Sequence, residues 1–186
     1  MATKLVLASR SPRRKELLEY AGLNFEVRSP GIPEAPERGE SPVAYVRRLS
    51  RAKAEAVQAG GDEVVLGADT VVVLGDDILE KPHDEADAAR MLGMLSGREH
   101  RVITGICLLQ GDSVVSDHVE TRVRFLDLTA AEIAEYAASG EPMDKAGAYA
   151  IQGLGSKFID QVEGCYFNVV GLPVSRVYRR LKEMGW

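Results

Sequence analysis

One stretch constrains the fold more than any other: Val64-Val65-Leu66-Gly67-Ala68-Asp69-Thr70-Val71-Val72-Val73-Leu74, a valine-rich run broken only by Asp69 and Thr70. It reads as a long buried strand. Gly75-Asp76-Asp77 follows as a hairpin turn into a second strand, Ile78–Glu80. Around this hairpin, apolar runs of strand length alternate with helical patterns nearly throughout, which predicts an α/β fold.

Lys4–Ala8 reads as a buried first strand. Ser11 then stands as N-cap with Pro12 at the first helical position. Leu17, Leu18 and Ala21 form one apolar face, and Gly22 ends that helix. Pro30, Pro33, Pro36 and Pro42 mark a loop from Ser29 to Ser41, where Ser41-Pro42 repeats the helix-start signal. Asp84 opens a third helix, with Ala88, Met91, Leu92 and Leu95 on one face and Gly97 after it. Val102–Leu109 and the alternating Val119, Thr121, Val123 and Phe125 read as strands. Thr129 and Glu132 form a capping box for a helix that stops at Ser139-Gly140. The glycine-rich Gly147–Gly155 segment precedes two more strands and a closing helix from about Pro173. Repeats and composition breaks are absent from the sequence, so residues 1–186 read as one domain.

Composition narrows the function classes. A net charge of -5 argues against a nucleic-acid partner, which needs a basic face. The apolar run starting Met1-Ala2-Thr3 is too short for a signal peptide or membrane span, which gives a cytoplasmic expectation and no membrane partner. Cys107 and Cys165 are too few for a disulfide scaffold and too far apart for a CxxC pair. His83, His100 and His118 lack metal-ligand spacing.

Several residues sit where folding has no use for them. Ser9-Arg10-Ser11-Pro12-Arg13-Arg14 joins a strand to a helix start, where free N–H groups and the positive dipole end favour an anion. Arg13 and Arg14 in that first turn oppose the helix dipole. They make sense if a phosphate sits there, and are otherwise two solvated arginines. GxxxxGK[ST] is absent from the sequence, which excludes a P-loop.

Asp69 is the sharper case. A carboxylate in a buried strand costs several kcal/mol unless it is paired, protonated or metal-bound. If Gly75-Asp76 form a two-residue turn, Leu74 faces Asp77, Val72 faces Leu79 and Thr70 faces Lys81, and Glu80 and Lys81 come beside Asp69 and Thr70. Lys53 falls on the apolar stripe of Tyr45 and Leu49. Snorkelling is the ordinary reading of that position, and a phosphate contact the alternative. Glu34 in the proline-rich loop joins Asp69 as an oxygen ligand should a hard cation bind.

Taken together and in order, these pieces resemble the Maf family of nucleoside-triphosphate pyrophosphatases. The matching stretches are Leu7-Ala8-Ser9 with Ser11-Pro12-Arg13-Arg14, Leu49 to Lys53, and Gly67-Ala68-Asp69-Thr70-Val71-Val72. They continue with Leu79-Glu80-Lys81-Pro82, Leu95-Ser96-Gly97 and Asp144-Lys145-Ala146-Gly147-Ala148-Tyr149. Ile151-Gln152-Gly153 and Val169-Val170-Gly171-Leu172-Pro173 complete a likeness that runs almost end to end.

The resemblance implies an α/β fold of Maf and inosine-triphosphatase-like type: a mixed central sheet with flanking helices, two lobes around a nucleotide-binding cleft, and often a homodimer. It implies hydrolysis between the α and β phosphates of a nucleoside triphosphate, aided by a divalent cation, Mg²⁺ or Mn²⁺. Carried over by position, Asp69 would be the catalytic acidic residue, as proton acceptor or metal ligand, with Glu34 as a further metal or catalytic carboxylate. Ser9, Arg13, Arg14, Lys53 and Lys81 hold the triphosphate, and Glu80 falls in the same motif as Lys81. The branch that takes dTTP and UTP carries Arg, Thr and Gln at three specificity positions, matched by Arg13, Thr70 and Gln152. The branch that takes 7-methylguanosine triphosphate carries Trp, Gln and Glu there. The family is also associated with arrest of cell division and septum formation, so a nucleotide-binding regulator is the rival expectation.

Overall fold

The starts of the helices at Pro12, Pro42, Glu85 and Ala130 follow from local signals: Pro at the first position of the first two, and side-chain caps at Ser41, Asp84 and Thr129. The computed structural model describes residues 3–57 and 60–186; Met1 and Ala2, the start of the N-terminal run, lie outside them. The strands are β1 (Lys4–Ala8), β2 (Phe25–Val27), β3 (Glu63–Leu74), β4 (Asp77–Leu79), β5 (Glu99–Gln110), β6 (Ser113–Phe125) and β7 (Ile159–Glu163). The helices are α1 (Pro12–Tyr20), α2 (Pro42–Glu55), α3 (Glu85–Leu95), α4 (Ala130–Ala138), α5 (Tyr166–Val170) and α6 (Val174–Glu183). The strands form a mixed sheet, with hydrogen-bonding order β2-β1-β3-β5-β6-β7 and β4 paired to β3. This is the expected α/β class. Cys107 and Cys165 are free thiols. Among the described residues no helix is long and apolar enough to cross a membrane.

The chain forms two compact units, the first made of residues 1–70, 104–119 and 171–186. Here β1 lies between β2 and β3 and runs parallel to both. The chain passes β1–α1–β2 to one side and then returns β2–α2–β3 to the other. Right-handed crossovers in opposite directions place α1 and α2 on opposite faces of the three strands. Two glycines let α2 lie close. A Cβ on Gly67 would stand 2.0 Å from the Ser50 carbonyl oxygen, and one on Gly105 would stand 2.3 Å from that of Val46. The predicted N-cap of α2 is present, Ser41 Oγ accepting from the Ala44 N–H at 3.2 Å.

Two details of α1 differ from expectation. Among the described residues Ser11 Oγ makes no capping bond; instead the Ser11 N–H donates to Ser9 Oγ at 3.1 Å. Ala21 is exposed, because the helix has already ended and Ala21 is its C-cap.

The second unit comprises residues 71–103 and 120–170. The β3–β4 hairpin has the expected register, Leu74 opposite Asp77 and Val72 opposite Leu79. All four predicted α3 residues, Ala88, Met91, Leu92 and Leu95, are buried. The predicted capping box of α4 is formed, with Thr129 and Glu132 each bonding the other's backbone. His100, Phe125 and Tyr149 pack edge to face with centroids 4.8–5.4 Å apart. His100 Nε2 and the Tyr149 hydroxyl share a 2.8 Å hydrogen bond.

The two strands expected after Gly155 are one strand, β7, followed by the short helix α5. Tertiary bonds override the apolar pattern there. The buried Asn168 donates to the Val102 carbonyl at 2.9 Å and to Thr121 Oγ1 at 3.0 Å, and its own N–H closes a turn on Cys165 O at 3.1 Å.

Candidate active site

The parallel pairing of β1 with β3 runs from Lys4 opposite Glu63 to Ala8 opposite Gly67. Asp69 and Thr70 therefore lie on β3 just past the carboxyl end of β1. Connections leave β1 toward β2 and return to β3 on opposite faces, so this end is a topological switch point, the usual ligand position in open α/β sheets. Alternation along β3 sends Gly67 and Asp69 to the α2 face and Thr70 to the other.

On the α2 face, Lys53 Nζ lies 2.6 Å from Asp69 Oδ1 and 2.9 Å from Glu34 Oε1. The Lys53 and Asp69 side chains are only 7% and 8% exposed, while Glu34 is 39% exposed. Lys53 is thus not a snorkelling lysine. Its place on the buried stripe is explained by two carboxylates at its tip. Burial pushes the Asp69 carboxyl above its ordinary pKa, against the lowering effect of Lys53 and Arg14.

On the α1 face, the Arg14 guanidinium is buried and held at three points. Nε donates to the Gly171 carbonyl at 2.9 Å, Nη1 to Ser9 Oγ at 3.3 Å and Nη2 to Thr70 Oγ1 at 3.1 Å. Desolvation lowers the Arg14 pKa, and the nearby charges of Asp69 and Glu34 oppose that. An arginine in the first turn of a helix, unfavourable for α1 alone, is therefore compensated by acceptors from distant parts of the chain. Thr70 Oγ1 also lies 2.9 Å from Thr104 Oγ1 and 3.3 Å from the Gly171 carbonyl. Ser9 Oγ accepts from both Ser11 N–H and Arg14, and its own hydrogen has no acceptor among the described residues.

The structure thus joins Ser9, Arg14 and Thr70 in one network and Lys53, Asp69 and Glu34 in another. Arg13, in the same first turn as Arg14, is half-exposed. Glu80, Lys81 and Gln152 belong to the second unit and are exposed. Lys81 and Glu80 follow β4, which ends at Leu79, so the strand stops short of the expected Thr70–Lys81 pairing. The Glu80 carbonyl accepts from the Gly147 N–H at 3.0 Å. The sequence reading missed Thr104 and the Gly171 carbonyl. Thr104 carried a usable signal, a hydroxyl inside an apolar strand, the same one that singled out Thr70. A backbone carbonyl carries none.

The arrangement offers buried, preorganised charge of both signs at one strand end. It suits an anionic substrate and a reaction that needs a proton acceptor. Among the described residues, no cluster of three His, Cys, Asp or Glu side chains is placed to hold a metal. Two carboxylates converging on one cationic atom nonetheless fit a hard divalent ion. Mg²⁺ in particular takes one or two carboxylates and completes its shell with phosphate and water oxygens.

Comparison with known proteins places the chain in a large group. The family described as Maf-like protein matches residues 4–184. A dTTP/UTP pyrophosphatase of Koribacter versatilis (strain Ellin345) is 51% identical over 182 residues, covering 97% of this chain and 94% of that protein. A dTTP/UTP pyrophosphatase of Geobacillus sp. (strain WCH70) is 50% identical over 184 residues, covering 98% and 99%. The solved structure of the Staphylococcus aureus Ham1 protein aligns over 67% of this chain and 72% of that one, with a TM-score of 0.43 and 15% identity, too distant to carry an argument.

Proposed function

The chain belongs to the Maf-like protein family, and from that premise we propose that it hydrolyses dTTP and UTP to the monophosphate and pyrophosphate. The observation that carries the reading is Asp69: a buried carboxylate past the end of β1, paired with Lys53 at 2.6 Å, in a chain about half identical to proteins named for this activity.

In this mechanism a water oxygen attacks the α-phosphorus as the bond from that phosphorus to the oxygen bridging to Pβ breaks. Asp69 accepts the water proton, a role helped by its raised pKa. The electron pair of the broken bond leaves on pyrophosphate. Arg14, fixed by Gly171, Ser9 and Thr70, presents charge that needs no reorganisation as the leaving group forms. Ser9 has a hydroxyl hydrogen to donate to a phosphate oxygen. Arg13, Lys53 and Lys81 supply further cations for the triphosphate, and Glu80 belongs to the same substrate-binding motif as Lys81. Asp69 and Glu34 would hold a divalent cation, Mg²⁺ or Mn²⁺, which when bound adds charge neutralisation and polarises phosphate oxygens. Gln152, with a donor and an acceptor on one amide, suits a pyrimidine edge, and Arg13 and Thr70 complete the dTTP/UTP set.

The test is product analysis with purified protein, Mg²⁺ or Mn²⁺, and a panel of dTTP, UTP, CTP, GTP and 7-methylguanosine triphosphate. Pyrophosphate and monophosphate from dTTP and UTP, lost in Asp69→Asn, are the expected result. Inorganic phosphate as first product would place the cut at the wrong bond. Absence of turnover across the panel would overturn the enzymatic reading.

A further inference from the structure

Charged groups of both signs meet at the end of β1. Asp69 and Glu34 meet Lys53 directly, and Arg14 acts electrostatically on both carboxylates from the other face. Each carboxylate therefore has a cation before any ligand arrives. This has a consequence for how a divalent cation can use the carboxylates.

An Mg²⁺ ion sits about 2.1 Å from each ligand oxygen. Lys53 Nζ is already 2.6 Å from Asp69 Oδ1. An ion on that same oxygen therefore lies within about 5 Å of the ammonium, whatever its direction. At that separation, in a buried setting, a divalent ion and an ammonium repel strongly. The protein also supplies few ligands, since no third His, Cys, Asp or Glu joins the pair among the described residues.

We infer that Lys53 is the built-in counter-ion of the Asp69–Glu34 pair, that it blocks divalent-cation binding by the free protein, and that it leaves the pair only when a polyanionic nucleotide gives its ammonium another partner. The step is an exchange of ion pairs with no covalent change. Lys53 moves from carboxylate oxygens to phosphate oxygens, and the carboxylates are released for the cation. Lys53 is well placed for this. Its stem lies on the buried stripe of α2 with Tyr45 and Leu49, so only the end of a flexible chain has to move. This pairing also explains why the site tolerates burial, since neither carboxylate lacks a cation. The inference rests on the pyrophosphatase reading only for the identity of the polyanion. The metal-free half stands on the Lys53 geometry.

The experiment is Mn²⁺ binding followed by electron paramagnetic resonance and calorimetry, with no nucleotide present. Wild-type protein is expected to bind Mn²⁺ weakly. Lys53→Met, which keeps the stem and removes the charge, is expected to bind about tenfold more tightly or better, within the usual range of coupling between sites. Adding Glu34→Gln to Lys53→Met should remove that gain, which assigns it to this carboxylate pair. A non-hydrolysable dTTP analogue with a methylene bridge between the α and β phosphorus should tighten Mn²⁺ binding to wild-type protein. The tightening should exceed that in solution with the analogue alone, and should be smaller in Lys53→Met. Circular dichroism establishes that the variants are folded, and Lys53→Gln replaces Lys53→Met if the methionine variant is not. Equal or weaker Mn²⁺ binding by a folded Lys53 variant overturns the inference, as does wild-type protein that binds Mn²⁺ alone as tightly as that variant. These outcomes do not depend on turnover. A failure of the nucleotide panel with a positive Lys53 result would sink the substrate assignment and leave the counter-ion role standing.

Discussion

Replacing Gly67 by alanine tests whether the close approach of α2 to β3 builds the site. A Cβ there would meet Ser50 O at 2.0 Å, Ala54 N at 2.8 Å and Ala54 Cβ at 3.0 Å, where ordinary contact begins near 3.4 Å. The helix backbone must therefore retreat by more than an ångström. Lys53 sits on α2 between those two contact residues, and Asp69 lies two positions along the same face of β3. The 2.6 Å Lys53–Asp69 bond has little slack, because a hydrogen bond is gone by about 3.6 Å. Inserting a methyl into a packed core costs about 1–3 kcal/mol, and the obstacle here is backbone, so the upper end, about 3 kcal/mol, is expected. Misplacement by an ångström at a catalytic pair is expected to lower pyrophosphate release from dTTP about 100-fold. Urea denaturation gives the first quantity and a coupled pyrophosphate assay the second. A Gly67→Ala protein within about 0.5 kcal/mol of wild type and fully active would refute the reasoning, since surface-like tolerance cannot coexist with such a contact.

Three further outcomes follow from the same geometry. Gly93→Ala, inside α3 with nothing within 4 Å of the new methyl, should stabilise the protein by about 0.5–1 kcal/mol in urea melts. Arg14→Lys should cost about 2–4 kcal/mol in urea melts, because one ammonium cannot replace three directed bonds and leaves the Gly171 carbonyl short of its donor. Burial lowers the His100 pKa to about 4. The folded protein thus binds its proton less readily than the unfolded chain, so stability is full above the ordinary imidazole value near 6.5 and falls as pH drops from there to 4. His100→Gln should flatten that fall by up to about 3 kcal/mol in pH-dependent urea melts; an unchanged slope would contradict it.

The sequence by itself determined what depends on neighbours a few residues apart. Helix starts at Pro12 and Pro42, the Thr129–Glu132 capping box, the α3 face and the β3–β4 register from Val72 to Leu79 are set by local periodicity and turn chemistry and appear as expected, although Ser11 makes no capping bond and the pairing stops before Thr70 and Lys81. The same locality exposed Asp69, whose presence in a valine-rich strand contradicts burial without needing a partner to be known. Tertiary structure alone decided who those partners are. Lys53 reads as snorkelling along its own helix and becomes a buried counter-ion only because α2 lies on β3 at Gly67. Arg14 opposes the dipole of its own helix and is stabilised by a carbonyl 157 residues away. Tyr166–Val170 has a strand-like apolar pattern and folds as a helix because Asn168 bonds to Val102 and Thr121. Periodicity records which face of an element is apolar; it holds no information about which charged or polar atoms, distant in the chain, meet across that face. That pairing is settled when the elements pack, and the chemistry of this site consists of such pairings.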